Sequence, residues 1–331
     1  MVAKKTTRKR MFLIDGYAML YRAHFAMIRN PLITSYGLPT SALFGFLNQL
    51  FRLLKKENPD YVAAIFDRKE KTFRHKIYPD YKATRDPMPE ELQEQLPHLW
   101  KLIEAMQIPY LSQAGFEADD IIGTLVKHGL KQDLDVFIVS GDKDFMQLIN
   151  ANVFLFAPGT RNKPDKIYDI KGVEDRWGVP PEKIVDLFGL MGDSSDNIPG
   201  VAGVGPKSAM KLIHDYGTLE EVLENAESVT NKRVRNGLLE GKDNAILSKD
   251  LVTIMTDVPL EREIDELVRQ DMNIDAMELL LTKYEFHALI NQLPSSAEEK
   301  MSTKNKSDKD LFHHLIISLK YLVGQKLTFL K

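Results

Sequence analysis

Aspartates close three short apolar runs of this chain. Met11-Phe12-Leu13-Ile14 stops at Asp15, and Tyr61 to Phe66 stops at Asp67. Val136 to Val139 leads through Ser140-Gly141 to Asp142, with Asp144 two residues on. Short β-branched and aromatic runs bounded in this way read as buried strands of a parallel sheet. Open α/β sheets build their sites at the carboxyl ends of strands. Several carboxylates gathered there repel one another, which calls for positive charge between them. Oxygen ligands of this kind suit hard divalent cations.

Two further acid groups belong with these. Glu117-Ala118-Asp119-Asp120 runs into the apolar residues Ile121, Ile122, Leu125 and Val126, so the acids fall in the first turn of a helix. The helix dipole favours negative charge there, and one such acid would be ordinary. Three in four residues are harder to explain by the dipole alone. Asp193 and Asp196 lie at i and i+3, a spacing that lets both face one metal. Immediately after them, Gly200, Gly203 and Gly205 punctuate the apolar frame of Ile198, Val201 and Val204, and Pro206 opens the next helix. Such a glycine hairpin leaves backbone N–H groups free at a helix start, a site for phosphate oxygens without sequence preference. Lys207 and Lys211 add positive charge on that helix.

The elements that position these groups alternate strand and helix over residues 11–150. The stretch Thr40 to Lys56 carries a helical apolar stripe and is followed by Pro59, and residues 89–106 read as a second helix with Pro89 near its first turn. Between Asp67 and Pro89 lies a long basic and aromatic connection. Residues 68–85 hold seven Lys/Arg against two acids, with Phe73, Tyr78 and Tyr81 among them. That segment reads either as a solvated face or as a surface for single-stranded nucleic acid.

The 331 residues suggest about two domains. A hydrophobic share of 44% and a charged share of 27% describe a soluble globular chain. The absence of cysteine excludes disulfides, thiolate metal sites and cysteine nucleophiles. No run approaches the roughly 18–20 apolar residues of a membrane span, and the first apolar stretch is too short for a signal peptide. The expected location is cytoplasmic, with the nucleoid. The net charge of −3 hides an acidic pocket beside a basic surface, which suits a polyanion held through metal.

Six ordered motifs then carry a resemblance: FLIDGYAMLYRAHFA at 12–26, FDRKEKTFRH at 66–75, YPDYKATRDPMPEEL at 78–92, GFEADDIIGTL at 115–125, SGDKDFMQL at 140–148 and LMGDSSDNIPGVAGVGPKSAMKLI at 190–213. Over about residues 11–293 the chain resembles the 5′-nuclease domain of bacterial DNA polymerase I, in the flap endonuclease superfamily. The resemblance implies an α/β PIN-like core with a mostly parallel twisted sheet at 11–180, a helical arch at about 68–95, and an all-α helix–hairpin–helix DNA-binding domain at 181–293. It implies a metal set of Asp15, Asp67, Glu117, Asp119, Asp120, Asp142, Asp144, Asp193 and Asp196, with Asp120 in an outer shell. Arg22 and Lys82 match basic residues near the scissile phosphate. Arg74, Tyr81 and Arg85 match arch positions that handle DNA, and Gly203, Gly205, Lys207 and Lys211 fall on the hairpin and its helix.

The implied activity is 5′–3′ exonuclease and 5′-flap endonuclease cleavage of DNA, yielding a 5′-phosphate and a 3′-hydroxyl in primer removal and repair. Two Mg2+ ions (or Mn2+) would divide activation of water from stabilisation of the leaving oxygen, and K+ would sit at the hairpin. Expected partners are DNA with 5′ flaps or nicks, RNA primers and a separate polymerase, the chain itself being a monomer. Alternatives are a noncatalytic DNA-binding remnant of a truncated polymerase I and a PIN-like ribonuclease. A phosphatase with an aspartate after its first strand lacks support, because Asp15-Gly16-Tyr17 has no second aspartate at the required place. Residues 1–10 read as a disordered basic arm. Residues 294–310 read as a linker, and the closing apolar segment as a docking helix or the product of a truncated gene, too short for a polymerase domain.

Overall fold

The computed structural model describes residues 8–160 and 163–294. The expectations for residues 1–7 and for 295–331 therefore lie outside the described residues. The sheet has six strands: β1 (Arg10–Asp15), β2 (Tyr61–Ile65), β3 (Tyr110–Leu111), β4 (Asp135–Val139), β5 (Val153–Ala157) and β6 (Lys166–Tyr168). Their order is β3-β2-β1-β4-β5-β6, and all pairings are parallel except β5 with β6. β1 and β2 are buried along almost their whole length, which explains their unbroken apolar sequences. Growth of the sheet reverses between β1 and β4, so a crevice opens at their carboxyl ends. The three aspartate-terminated runs are thus three adjacent strands, with β1 between β2 and β4.

The stripe expected from Thr40 forms the helix Ser41–Glu57 and ends on Asn58 in the left-handed region (φ 42°), just before Pro59. Its start is capped from a distance: the buried Gln95 side chain accepts from the backbone N–H groups of Ala42 (3.0 Å) and Leu43 (3.2 Å). Gln95 and Pro97 also divide the helix expected over 89–106. It becomes Glu90–Gln93 and Leu96–Ala105, because proline supplies no N–H to continue the ladder. The expected arch segment, about 68–95, holds two short helices, Phe73–Ile77 and Glu90–Gln93, with turns between them. Residues 8–10, expected to be loose, are engaged. Arg8 pairs with Asp133 at 2.8 Å, and the Arg10 N–H donates to Asp60 at 2.8 Å.

Beyond β6 the chain is helical, through Ile184–Met191, Pro206–Tyr216, Leu219–Glu224, Lys232–Glu240 and Lys242–Val252. Gly192 and Gly200, both at positive φ, let the two arms of the acid-bearing turn touch. A Cβ on Gly200 would lie 2.4 Å from the backbone nitrogen of Gly192. The segment after Val252 returns to the sheet. Met255 N–H donates to Asp120, Val258 N–H to Thr124, and Val268 bridges Tyr61. One apolar core consequently runs from Met11 to Leu267, and the compact unit extends to Met272. The helical domain expected to reach residue 293 is therefore divided. The second unit begins at Asn273, whose side chain caps the helix Ile274–Lys283, and Met277, Leu281, Tyr284, Phe286 and Leu289 are buried within the described residues of it. Among the described residues no helix is long and apolar enough to cross a membrane.

Candidate active site

Asp15 ends β1 and caps the helix Gly16–Ala26, accepting from the Ala18 N–H at 3.1 Å and from the Ser140 hydroxyl at 2.8 Å. The next residue must be small, since a Cβ on Gly16 would lie 2.2 Å from the Phe66 ring. Asp67 follows β2 and accepts from the Ala118 N–H at 2.8 Å, tying the second strand end to the start of the helix Ala118–Lys131. Asp119 sits in the first turn of that helix. Asp142 follows β4 and accepts from the Asp144 N–H at 2.9 Å.

Burial drives the carboxyl of Asp15 from its usual 3.8 to about 7; the hydrogen bonds oppose this, and the charges of Asp67 and Asp142 reinforce it. Asp144 is pushed to about 8, by burial and then by Asp142. Asp119 is raised well above the usual range, by burial and then by Asp142 and Asp15. Burial of its carboxyl also raises Asp67, opposed by the Ala118 N–H and Lys82 and reinforced by Glu117, although the residue as a whole is exposed. None of these four is in an ion pair among the described residues, and one buried oxygen of Asp144, Oδ1, has no hydrogen-bond partner. An all-oxygen donor set with uncompensated negative charge and an orphaned carboxylate oxygen fits a hard divalent cation.

Asp142 is likewise in no ion pair among the described residues, whereas Glu117, Asp193 and Asp196 have cations of their own. Glu117 accepts from Lys82 Nζ at 2.7 Å and from the Tyr81 hydroxyl at 3.0 Å. Asp193 accepts from Lys143 Nζ at 2.5 Å and from Ser195. Burial alone would raise Asp193, but these hydrogen bonds hold it below the usual range. Asp196 accepts from Arg85 at 2.5 and 3.0 Å. Asp193 and Asp196, at the spacing for one ion, are thus drawn to different cations. Among the described residues no three carboxylates are already gathered as closely as an ion would hold them. Lys82 occupies the left-handed region (φ 58°), unusual for a long side chain, and its N–H donates to the Asp196 carbonyl at 2.9 Å. That bond locks the arch segment to the 193–196 turn. Burial alone would lower the Lys82 ammonium, yet Glu117 and Asp196 keep it raised.

Four predicted residues are placed differently from their expected roles. Arg74 is 2% exposed and Asp120 is fully buried; they form a two-pronged ion pair at 2.7 and 2.8 Å. Arg74 also donates to the carbonyls of Leu251 and Thr253, and Asp120 accepts from the Glu117 and Met255 N–H groups. With every fork and oxygen engaged inside the core, Arg74 is no DNA contact and Asp120 no metal ligand in this arrangement. Tyr81 is 4% exposed, so its ring is not offered to a base. Its hydroxyl is used on Glu117 and, at 3.4 Å, on Asp196, and its pKa is raised by burial and then by Glu117. Arg22 donates to the Gly159 carbonyl at 2.5 Å rather than to any acid of the cluster. Burial and the nearby Arg52 lower its pKa.

Two residues went unassigned in the sequence reading: Lys143, the partner of Asp193, and Ser140, which orients Asp15. Their signal was position, since both lie within the SGDKD string that supplies Asp142 and Asp144. At the hairpin, Gly203 has φ 82° and lies 3.1 Å, through its would-be Cβ, from the Arg233 side chain. Gly205 precedes the helix Pro206–Tyr216 without a side-chain cap, and a Cβ there would meet nothing within 4 Å. Lys207 is exposed, and Lys211 pairs with Asp215 at 2.8 Å.

A parallel sheet whose strand ends gather carboxylates, followed by a helical hairpin unit, defines a resolvase-like nuclease architecture, and the chain belongs to the 5′-3′ exonuclease family. The family model for the 5′-3′ exonuclease N-terminal resolvase-like domain matches residues 10–178, and that for the C-terminal SAM fold matches 179–275. The chain is 39% identical over 286 residues to DNA polymerase I of Caldicellulosiruptor bescii, covering 86% of this chain and 33% of that protein. It thus spans about a third of that relative's length. It is 36% identical to a 5′-3′ exonuclease of Aquifex aeolicus, covering 86% of this chain and 95% of that one. Among solved structures, the flap endonuclease of bacteriophage T5 in complex with DNA and metal ions shares the fold, with a TM-score of 0.63 and 22% identity over 84% of this chain and all of that one.

Proposed function

We propose that this chain hydrolyses DNA phosphodiesters as a magnesium-dependent 5′–3′ exonuclease and 5′-flap endonuclease, leaving a 5′-phosphate and a 3′-hydroxyl, with roles in primer removal and repair beside a polymerase. The observation that carries the reading is the group of five carboxylates without an ion pair among the described residues, Asp15, Asp67, Asp119, Asp142 and Asp144, contributed by adjacent strand ends and the helix starts beside them. The nuclease family and a neighbouring fold solved with DNA and metal ions support it.

Asp15, Asp67, Asp119, Asp142 and Asp144 would hold the divalent ions, with Glu117, Asp193 and Asp196 completing the set. When bound, such ions supply Lewis acidity and charge neutralisation at a phosphodiester. The chain's own part is positioning. Ser140 and the Ala18 N–H orient Asp15, and the Ala118 N–H orients Asp67. Lys82 and Arg85 neutralise Glu117 and Asp196 and stand ready to transfer to phosphate oxygens. The uncapped helix start at Gly205, with Lys207 beside it, offers N–H groups and charge to one backbone phosphate of a duplex.

The test compares a 5′-flap, a nicked duplex and an RNA-primed duplex, each with magnesium and with EDTA, and maps the cut. Magnesium-dependent cleavage near the flap junction with 5′-phosphate ends is expected. Equal cleavage in EDTA, or none on any substrate, defeats the proposal.

A further inference from the structure

Lys143 is the basic residue of the SGDKD string, with Asp142 before it and Asp144 after it in the chain. Its ammonium reaches neither neighbour but donates to Asp193 Oδ2 at 2.5 Å. The other oxygen of Asp193 accepts from the Ser195 N–H at 2.9 Å and from the Ser195 hydroxyl at 2.6 Å. Ser195 thus aims the carboxylate, and Lys143 neutralises it. The same ammonium lies 5.3 Å from the centre of the Phe188 ring. That ring is 2% exposed and is met edge-on by Trp177 at 5.0 Å. A buried, braced ring therefore fixes the place of the ammonium from one side and Asp193 from the other. Burial would lower the Lys143 ammonium, but the bond to Asp193 and the charges of Asp144 and Asp142 keep it raised. Asp144 in turn carries the buried oxygen without a hydrogen-bond partner.

We propose that Lys143 is a tethered counter-ion that sets how tightly the Asp144–Asp193 side of the cluster takes a divalent cation. The inference rests on the metal-dependent reading above. A cation taken up at Asp193 has to displace an ammonium already hydrogen-bonded there. Asp15, Asp67 and Asp119 have no such ion pair to break, so the two sides of the cluster load unequally. Lys143 differs from Lys82 and Arg85 in its place in the chain. Fixed between Asp142 and Asp144, it stays within reach of the acids once displaced and returns when the cation leaves. An ordinary surface ion pair is the other role open to Lys143, and its removal would then leave cation binding unchanged.

The test counts manganese bound to the full chain without DNA by electron paramagnetic resonance, which reads free Mn2+ and requires no cleavage. The wild-type chain is expected to bind one ion tightly and a second more weakly. Lys143→Met keeps an unbranched stem against Phe188 without the charge. It should tighten the weaker ion about 10-fold, the scale of one charge-assisted hydrogen bond, and leave the tighter ion nearly unchanged. Lys143→Gln, a second neutral variant, should do the same, whereas Lys143→Arg should stay close to the wild type. In an Asp193→Asn background, Lys143→Met should lose most of its effect. The melting temperature of each variant in EDTA checks folding. The proposal is overturned if the neutral variants leave the weaker ion unchanged or if Lys143→Arg tightens it as much as they do. It is also overturned if the gain persists undiminished with Asp193→Asn, which would mark a diffuse effect of charge. Manganese bound alike by all the proteins defeats this proposal alone; manganese bound by none of them defeats the metal-dependent reading as well.

Discussion

Removing divalent cations should make this protein less stable as the pH rises, the reverse of ordinary acid denaturation. Asp15 and Asp144 have folded pKa values of about 7 and about 8, against 3.8 for a free side chain. Between those values the folded state binds more protons than the unfolded state, so unfolding becomes easier with each rise in pH until the folded carboxyls ionise. For Asp15, which is 8% exposed and titrates from 3.8 to about 7, the part of that interval above pH 5 at about 1.4 kcal/mol per pH unit amounts to about 3 kcal/mol. Asp15 and Asp144 share the repulsion of Asp142, so their contributions overlap. At roughly 2–4 °C per kcal/mol for a unit of this size, the melting temperature in EDTA should fall on the order of 10 °C between about pH 5 and about pH 8. His75, whose pKa burial lowers, acts in the opposite direction near its usual 6.5 and softens the acid end. Acids with lowered values, such as Asp165 and Asp193, titrate below about pH 4 and leave this window untouched. Differential scanning fluorimetry across the range checks it. Magnesium should raise the melting temperature far more at pH 8 than at pH 5, and Asp144→Asn should flatten the slope. A melting temperature that climbs through the window in EDTA, or a magnesium effect independent of pH, would refute the account of the cluster.

Arg74→Ala strands a fully buried Asp120 and should cost about 3–5 kcal/mol by denaturant melts; Arg74→Lys should recover only part, since an ammonium cannot replace the two-pronged contact. Gly205→Ala has room for its methyl and should leave the melting temperature unchanged while weakening duplex binding in a fluorescence-anisotropy titration. Lys207→Ala should weaken binding similarly for any duplex sequence and reduce the slope of log affinity against log salt by about 1. A sequence-selective loss in that variant would argue against a phosphate contact.

How much of this was legible depends on the range of the interaction. The apolar runs, the stripe of Ser41–Glu57 and the glycine punctuation are local, and strand, helix and turn follow from them with boundaries shifted by a residue or so. The break at Gln95 was not local, because its buried amide serves the start of a helix more than fifty residues earlier in the chain. The division of the helical region at Met272 likewise depends on a segment returning to Tyr61 and Thr124.

The same distinction holds at the site. Residue types and their places at strand ends determined that a cluster of carboxylates would form, because a parallel sheet sends successive strand ends to one edge. Which carboxylates remain unpaired was decided only in three dimensions. Arg74 and Asp120 lie 46 residues apart, and each matched a functional position in sequence. Burial makes an unpaired charge so costly that the two close on each other and leave the working surface. Lys143, flanked by two aspartates in the chain, instead reaches 50 residues on to Asp193. Charge in the sequence therefore specified that acids would cluster, whereas the desolvation of each group, which only packing sets, decided which of them are left without a cationic side chain.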